Sequence, residues 1–429
     1  MAVQDRSSQP PATSSSSPLA LLREQRVFLT LCILILVNQL GFGLITPILP
    51  LYADSFGLGP SLIGVVIGVY GLARFLVNVP AGRLAETKGR RPVLITGILI
   101  NTVSAALMAT AQNLPQLLLY RVLGGAGAAT VLLAGQIMVA DLSTPANRAR
   151  LSSIYQGFFL IGIGMGPLPG GFLADQFGLQ APFAVYAVTS ALTCLAAIFT
   201  LSETRPATVP VLTAEAVATH VRRSAGSILW SRGFVLIAAV SFMQFFGRTG
   251  AMFNIVPLMA RDRLDLSPAQ IGLALTLVNV LNIATLYHAG TLSDRFGRKP
   301  VIWPSTVIAG LSMVAFAASG GYLAFIGSAL LWGLASGISG PSPGAYIADL
   351  APPERRGRVI GAFRTCSDAG YIVGPLLLGW LAGTAGFTLP LIVTAVLFVI
   401  AGGLFGLLAP ETHRRTPPPA PPQRLGEGS

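Results

Sequence analysis

Of the 16 acidic residues in the chain, Asp368 alone sits well inside a long apolar run, about ten residues from its start and so roughly 15 Å along a helix. A lone carboxylate at that depth is costly to keep charged, which suits a group that takes up and releases a proton. Arg364 stands four residues earlier on the same helical face, and an intrahelical ion pair between the two would make them structural instead. Tyr371 follows three residues later. Arg121 is a second charge inside an apolar run. Burying it costs about 2.5–3.5 kcal/mol on insertion scales, so it needs a polar partner or cavity unless it snorkels to the surface about six residues away.

Around these lies a set of neutral and basic polar residues within apolar segments: Asn38, Gln39, Gln156, Gln244, Arg248, Asn279 and Asn282. Each alone suits a helix-packing hydrogen bond, and together with Tyr371 they suit the lining of a polar cavity for a small solute. Arg74 and His288 lie nearer the ends of their runs and are expected to snorkel or cap. Covalent chemistry finds no support, because three scattered histidines and three cysteines within apolar runs give no nucleophile and base spacing. For the same reason neither a disulfide nor a metal site is expected. No Gly-x-x-x-x-Gly-Lys-[Ser/Thr] loop is present, so neither ATP drive nor any other cofactor is expected.

The elements that must hold these residues are membrane helices. With 53% hydrophobic and 10% charged residues, the chain has too little polar surface for a soluble globule. Alternation in the manner of a transmembrane barrel is absent, so the spans are helical, at roughly 20 residues each. Twelve are expected, at about 27–51, 60–81, 92–112, 115–139, 151–174, 180–200, 232–259, 268–290, 300–320, 322–348, 359–383 and 388–409. The resulting division is a tail at 1–25, a six-helix bundle at 26–200, a linker at 201–231, a second six-helix bundle at 232–409 and a tail at 410–429. Both tails read as disordered. The stretch Ala214–Arg223 reads either as a short surface helix or as solvated linker.

Net charge +12 would suit nucleic acid, but most of the 28 Lys and Arg fall in segments on one side of the spans. That is the positive-inside bias, which puts both termini in the cytoplasm of a multi-pass cell-membrane protein and makes lipid, not nucleic acid, the partner. No removable signal peptide is expected, and the chain is expected to act as a monomer.

The two bundles are copies. Gly82-Arg-Leu-Ala-Glu-Thr-Lys-Gly-Arg-Arg-Pro returns 208 residues later as Gly290-Thr-Leu-Ser-Asp-Arg-Phe-Gly-Arg-Lys-Pro, and Asp141/Asp349, Gly162/Gly370 and Gly166-Pro167/Gly374-Pro375 keep the same offset. Against this ruler Arg121 meets Ala329 and Asp368 meets Leu160, so the scaffold requires neither charge.

Twelve helices in two repeats, with the strongest basic loop between the second and third span of each, resemble the major facilitator superfamily. Gly82, Leu84, Gly89, Arg90 and Arg91 match its loop pattern, while Glu86 and Thr87 stand where Asp and Arg are usual. The second copy keeps Gly290, Asp294, Gly297 and Arg298. The resemblance implies that the acid of this loop faces the start of span 11 and latches the outward-facing state, with a basic loop that only orients the chain as the plainer reading.

Span 5 carries Gly162-x-x-x-Gly166-Pro167-x-x-Gly170-Gly171, which resembles the mark of drug:proton antiporters, or serves only as a close-packing motif. Leu119-Tyr-Arg121-Val-Leu-Gly124 resembles the motif in which an arginine is tied to proton transfer. The family likeness thus implies an exporter of a small amphipathic compound in exchange for protons by alternating access. A proton symporter or facilitator is the rival within the class, and the span 5 pattern opposes it. A receptor is opposed by the lack of any folded sensory domain, and a membrane enzyme by the scattered histidines and membrane cysteines.

Overall fold

The structure is a computed structural model that describes residues 18–144, 147–205, 226–340, 342–352 and 356–412. Most of the expected linker and tails, with Ala214–Arg223, lies outside the described residues. Those described are helical, and no strand occurs among them.

The spans are Gln25–Asp54, Pro60–Lys88, Arg90–Ala109, Leu114–Asp141, Arg150–Phe177 and Ala181–Thr200 in the first half. Arg232–Leu264, Pro268–Phe296, Lys299–Ala318, Tyr322–Leu350, Arg356–Ala385 and Thr388–Leu408 form the second. Among the described residues, eleven helices are long and apolar enough to cross a membrane by length and composition alone. Span 11 supplies the twelfth with 30 residues, its first half carrying Arg364, Ser367 and Asp368. The protein is an all-α membrane protein of twelve helices in two six-helix repeats.

Proline and capping residues set the helix starts. Pro60 and Pro268 occupy first turns, where a missing N–H costs nothing, and Ser267 with Gln270 forms a reciprocal capping box. Pro47 ends the long helix of span 1 at Ile45, and Gly166–Pro167 divides span 5 into Arg148–Met165 and Pro167–Phe177. Span 7 contains a nine-residue π-helical stretch, Gly247–Ile255.

The stretch from Gly82, expected as a loop, is helical to Lys88, and its copy is helical to Phe296. Apolar and helix-favouring residues carry the helix on until Gly89 and Gly297, whose φ values of 103° and 105° break it in a region side-chain-bearing residues rarely adopt.

The halves meet along two seams, span 2 against span 11 and span 5 against span 8. Both close on the far side, away from the basic loops. A Cβ built at Gly64 would lie 2.2 Å from the Pro375 carbonyl oxygen, and one at Gly379 2.7 Å from that of Pro60. Shifted by the 208-residue offset, Gly272 meets Pro167 at 2.3 Å and Gly171 meets Pro268 at 2.2 Å. Toward the basic loops the same helices part: Gly157 and Gly361 have open space where a Cβ would stand, and Leu76, Val79 and Val280 are exposed.

Candidate functional site

Where the closed far side gives way to the open cleft, aromatic and basic side chains from both halves converge. Tyr70 on span 2 and Tyr371 on span 11 lie with ring centroids 6.4 Å apart, and Phe42 of span 1 stacks on Tyr70 at 5.7 Å. Arg121 is buried beneath them, its guanidinium 4.2 Å from the Tyr70 ring and its Nε donating to the Val66 carbonyl at 3.3 Å. It therefore does not snorkel. Its site is the interior alternative, paid for by a carbonyl and a π face instead of a carboxylate.

Arg74, expected to snorkel, also turns inward, 5.2 Å from the Tyr371 ring centroid. Arg248 projects from the π-helical stretch toward Phe253 at 5.6 Å, within electrostatic range of Tyr371 and Arg74. A cavity of about 20 Å³, room for a water molecule, is lined by Phe42, Thr46, Arg121, Phe253 and Tyr371 among others.

Asp368 lies one turn from Tyr371 toward the basic loops, half-buried. Arg364 is exposed, and no ion pair joins it to Asp368 among the described residues. The other expected lining residues divide. Gln39 and Asn38 are buried, and the Asn38 amide nitrogen has no hydrogen-bond partner among the described residues. Gln156 is exposed on the open side. Gln244 donates to Ser339 Oγ at 3.1 Å and Asn282 to Ser336 Oγ at 3.0 Å, tying spans 7 and 8 to span 10, while Asn279 bonds its own helix at Leu275.

The span 5 glycines have two faces. Gly162 abuts the Leu36 carbonyl, Gly166 the backbone of Gly43 and Gly170 that of Leu44, so this stripe at every fourth residue seats span 5 on span 1. Gly171 and Pro167 look the other way, onto span 8 of the second half. Leu168 N–H donates to Thr276 Oγ1 at 3.0 Å across the same seam.

A residue that sequence reasoning missed fastens that seam. Asp175, at the far end of span 5, accepts from Ser267 Oγ at 2.9 Å and from the Ala269 N–H at 3.0 Å, placing a carboxylate on the N-terminus of span 8. Its counterpart across the repeat is Gly383, so only one seam carries this bond.

On the basic side each half is braced internally. Arg90 pairs with Asp141 at 2.9 Å, and Arg298 with Asp349 at 3.2 Å and with Asp294. Glu203, also missed, accepts from the backbone N–H of Arg90 at 3.0 Å and of Arg91 at 3.1 Å. Glu411 does the same for Arg298 and Lys299, both at 3.0 Å. Burial works against the charged form of Glu203, but four backbone N–H donors, those of Arg90, Arg205, Arg91 and Thr204, outweigh it and hold its carboxyl below the usual glutamate range. A Cβ at Gly89 would stand 2.6 Å from Glu203 Oε2, a second reason for glycine there. Glu86 is exposed and makes no hydrogen bond or ion pair among the described residues, so its expected contact with span 11 is not made in this conformation. The repeated Glu-Thr at 203–204 and 411–412 was the available signal for these braces.

The family model of the Major Facilitator Superfamily matches twice, at residues 31–267 and 237–428. The chain is similar to tetracycline resistance protein class C of Escherichia coli, 29% identical over 379 residues, covering 85% of this chain and 92% of that protein. It is 27% identical over 394 residues to the multidrug resistance protein MdtG of Klebsiella pneumoniae, covering 88% and 92%. Among solved structures it resembles a bacterial homolog of the human lysosomal transporter Spinster, in an inward-facing and occupied conformation, with TM-score 0.74 and 16% identity over 89% of this chain and 96% of that one. Two matches that together span both repeats settle the membership: the chain belongs to the Major Facilitator Superfamily, a family of small-molecule transporters.

Proposed function

We propose that the protein is a secondary-active exporter of a small amphipathic compound, exchanging it for protons by alternating access. The observation that carries this reading is the asymmetry of the seams: two repeats pressed together at glycine level on the far side, parted on the basic side, with a polar cluster between them. Such halves can rock about the cluster and expose it to either side in turn. The positive-inside bias assigns the basic side to the cytoplasm of the cell membrane, so this conformation faces inward. The relatives named for tetracycline and multidrug resistance support export.

Asp368 is the proposed proton carrier: it lies one turn from the cluster toward the open side, and no cation pairs with it among the described residues. Arg121 is the proposed coupling residue, since a cation held by a carbonyl and a π face, with no carboxylate paired to it among the described residues, is sensitive to charge arriving nearby. Glu86 remains the proposed latch for the outward-facing conformation, free here to engage when the basic sides close. Substrate-triggered proton release from the purified protein tests the assignment. Asp368→Asn should abolish release while leaving substrate binding, and retained release would remove Asp368 as the carrier.

A further inference from the structure

Three guanidinium groups surround the Tyr70–Tyr371 pair, and no carboxylate pairs with any of them among the described residues. Among the described residues Arg121 meets a carbonyl and the Tyr70 ring, Arg74 the Tyr371 ring, and Arg248 the Phe253 ring. Across the repeat their counterparts are Ala329, Asn282 and Leu40, so the shared scaffold requires none of these cations. Positive charge gathered at the middle of a membrane protein without a counter-ion is unfavourable, and an arriving anion offsets it.

We propose that this cluster is a binding site for the anionic group of an amphipathic organic carboxylate. Arg74, one turn from Tyr70 toward the open side, and Arg248 are half-buried, whereas Arg121 is buried beneath Tyr70, so an anion entering from the open side reaches the first two more readily than the third. The planar guanidinium fork matches a carboxylate in a way a point charge does not. Phe42 and Phe253, with the two tyrosines, provide aromatic walls for an apolar body attached to that group. Arg248 lies in the first turn of the π-helical stretch Gly247–Ile255, and such stretches recur at functional sites. The same charges repel an ammonium, so the site selects anions over cations of equal shape.

The proposal names the substrate class for the exporter reading above and rests on it for the direction of transport, but binding can be measured alone. Naphthoate, naphthamide and naphthylmethylammonium, three probes of similar shape and different charge, are titrated by calorimetry onto the full chain in lipid nanodiscs. Saturable naphthoate binding about tenfold or more tighter than either of the others is expected. Arg74→Gln and Arg248→Gln should each weaken naphthoate about tenfold and leave naphthamide unchanged, which also shows that the variants are folded. Equal affinity for the three probes, preference for the ammonium, or no saturable naphthoate binding overturns the proposal. Charge preference without transport in proteoliposomes would remove the exporter reading and leave the anion site standing.

Discussion

Removing the Asp175 carboxylate should open the far side. In the observed conformation that group accepts two hydrogen bonds, from Ser267 Oγ at 2.9 Å and the Ala269 N–H at 3.0 Å, and both donors belong to the other half of the molecule. It is exposed, so solvent screens it, and the contact contributes about 1 kcal/mol, the upper end for a surface charge at a helix N-terminus. All of that is specific to the closed far side, because Asp175 and span 8 separate when the halves rock the other way. Asp175→Ala should therefore shift the ratio of far-side-open to far-side-closed molecules about fivefold. Spin labels at Gln112 and Gly320, exposed far-side positions in the two halves, read this by pulsed dipolar spectroscopy in a background lacking Cys32, Cys194 and Cys366. Ser267→Ala should move the distribution the same way by less, and the double variant should add little to Asp175→Ala. An unchanged distance distribution in Asp175→Ala would refute the latch.

Gly171→Ala places a methyl 2.2 Å from the Pro268 carbonyl at the seam and should also favour the far-side-open form in the same measurement; Gly162→Ala, whose methyl meets Leu36 within one half, should lower the melting temperature instead. Gly89→Ala combines a φ of 103° with a clash against Glu203 and should cost about 1–3 kcal/mol of stability, read as a drop in melting temperature. The lowered folded-state value of Glu203 means that its stabilisation is present above the ordinary glutamate value and is lost as pH falls through the lowered one. Wild type should thus exceed Glu203→Gln in thermal stability at neutral pH, with the two curves meeting on acidification below the ordinary range; a gap that persists there contradicts the carboxylate's role.

The 208-residue offset made much of this legible beforehand. It foretold the twelve helices and two repeats, and the observed seam contacts obey it: Gly64 with Pro375 repeats as Gly272 with Pro167. What escaped were residues whose role depends on which elements meet in space. Glu203 and Glu411 keep the offset but sit at span ends, where an acid followed by threonine reads as ordinary solvated chain. Asp175 breaks the offset, and only the meeting of spans 5 and 8 gives it a partner. Arg74 read as a snorkelling end residue because its distance to the membrane surface was visible in sequence and the Tyr371 ring beside it was not. For Gln244 and Asn282 the spacing suited either a cavity or a helix-packing bond, and only the structure supplies the serines of span 10 that they bond.

Export driven by proton exchange is tested directly by compound efflux from proteoliposomes under imposed pH gradients of either sign. Substrate should move against its own gradient when protons flow the opposite way, stop when the pH gradient is dissipated, and reverse direction when that gradient is inverted. Flux independent of the pH gradient, or substrate and protons moving in the same direction, would contradict proton exchange.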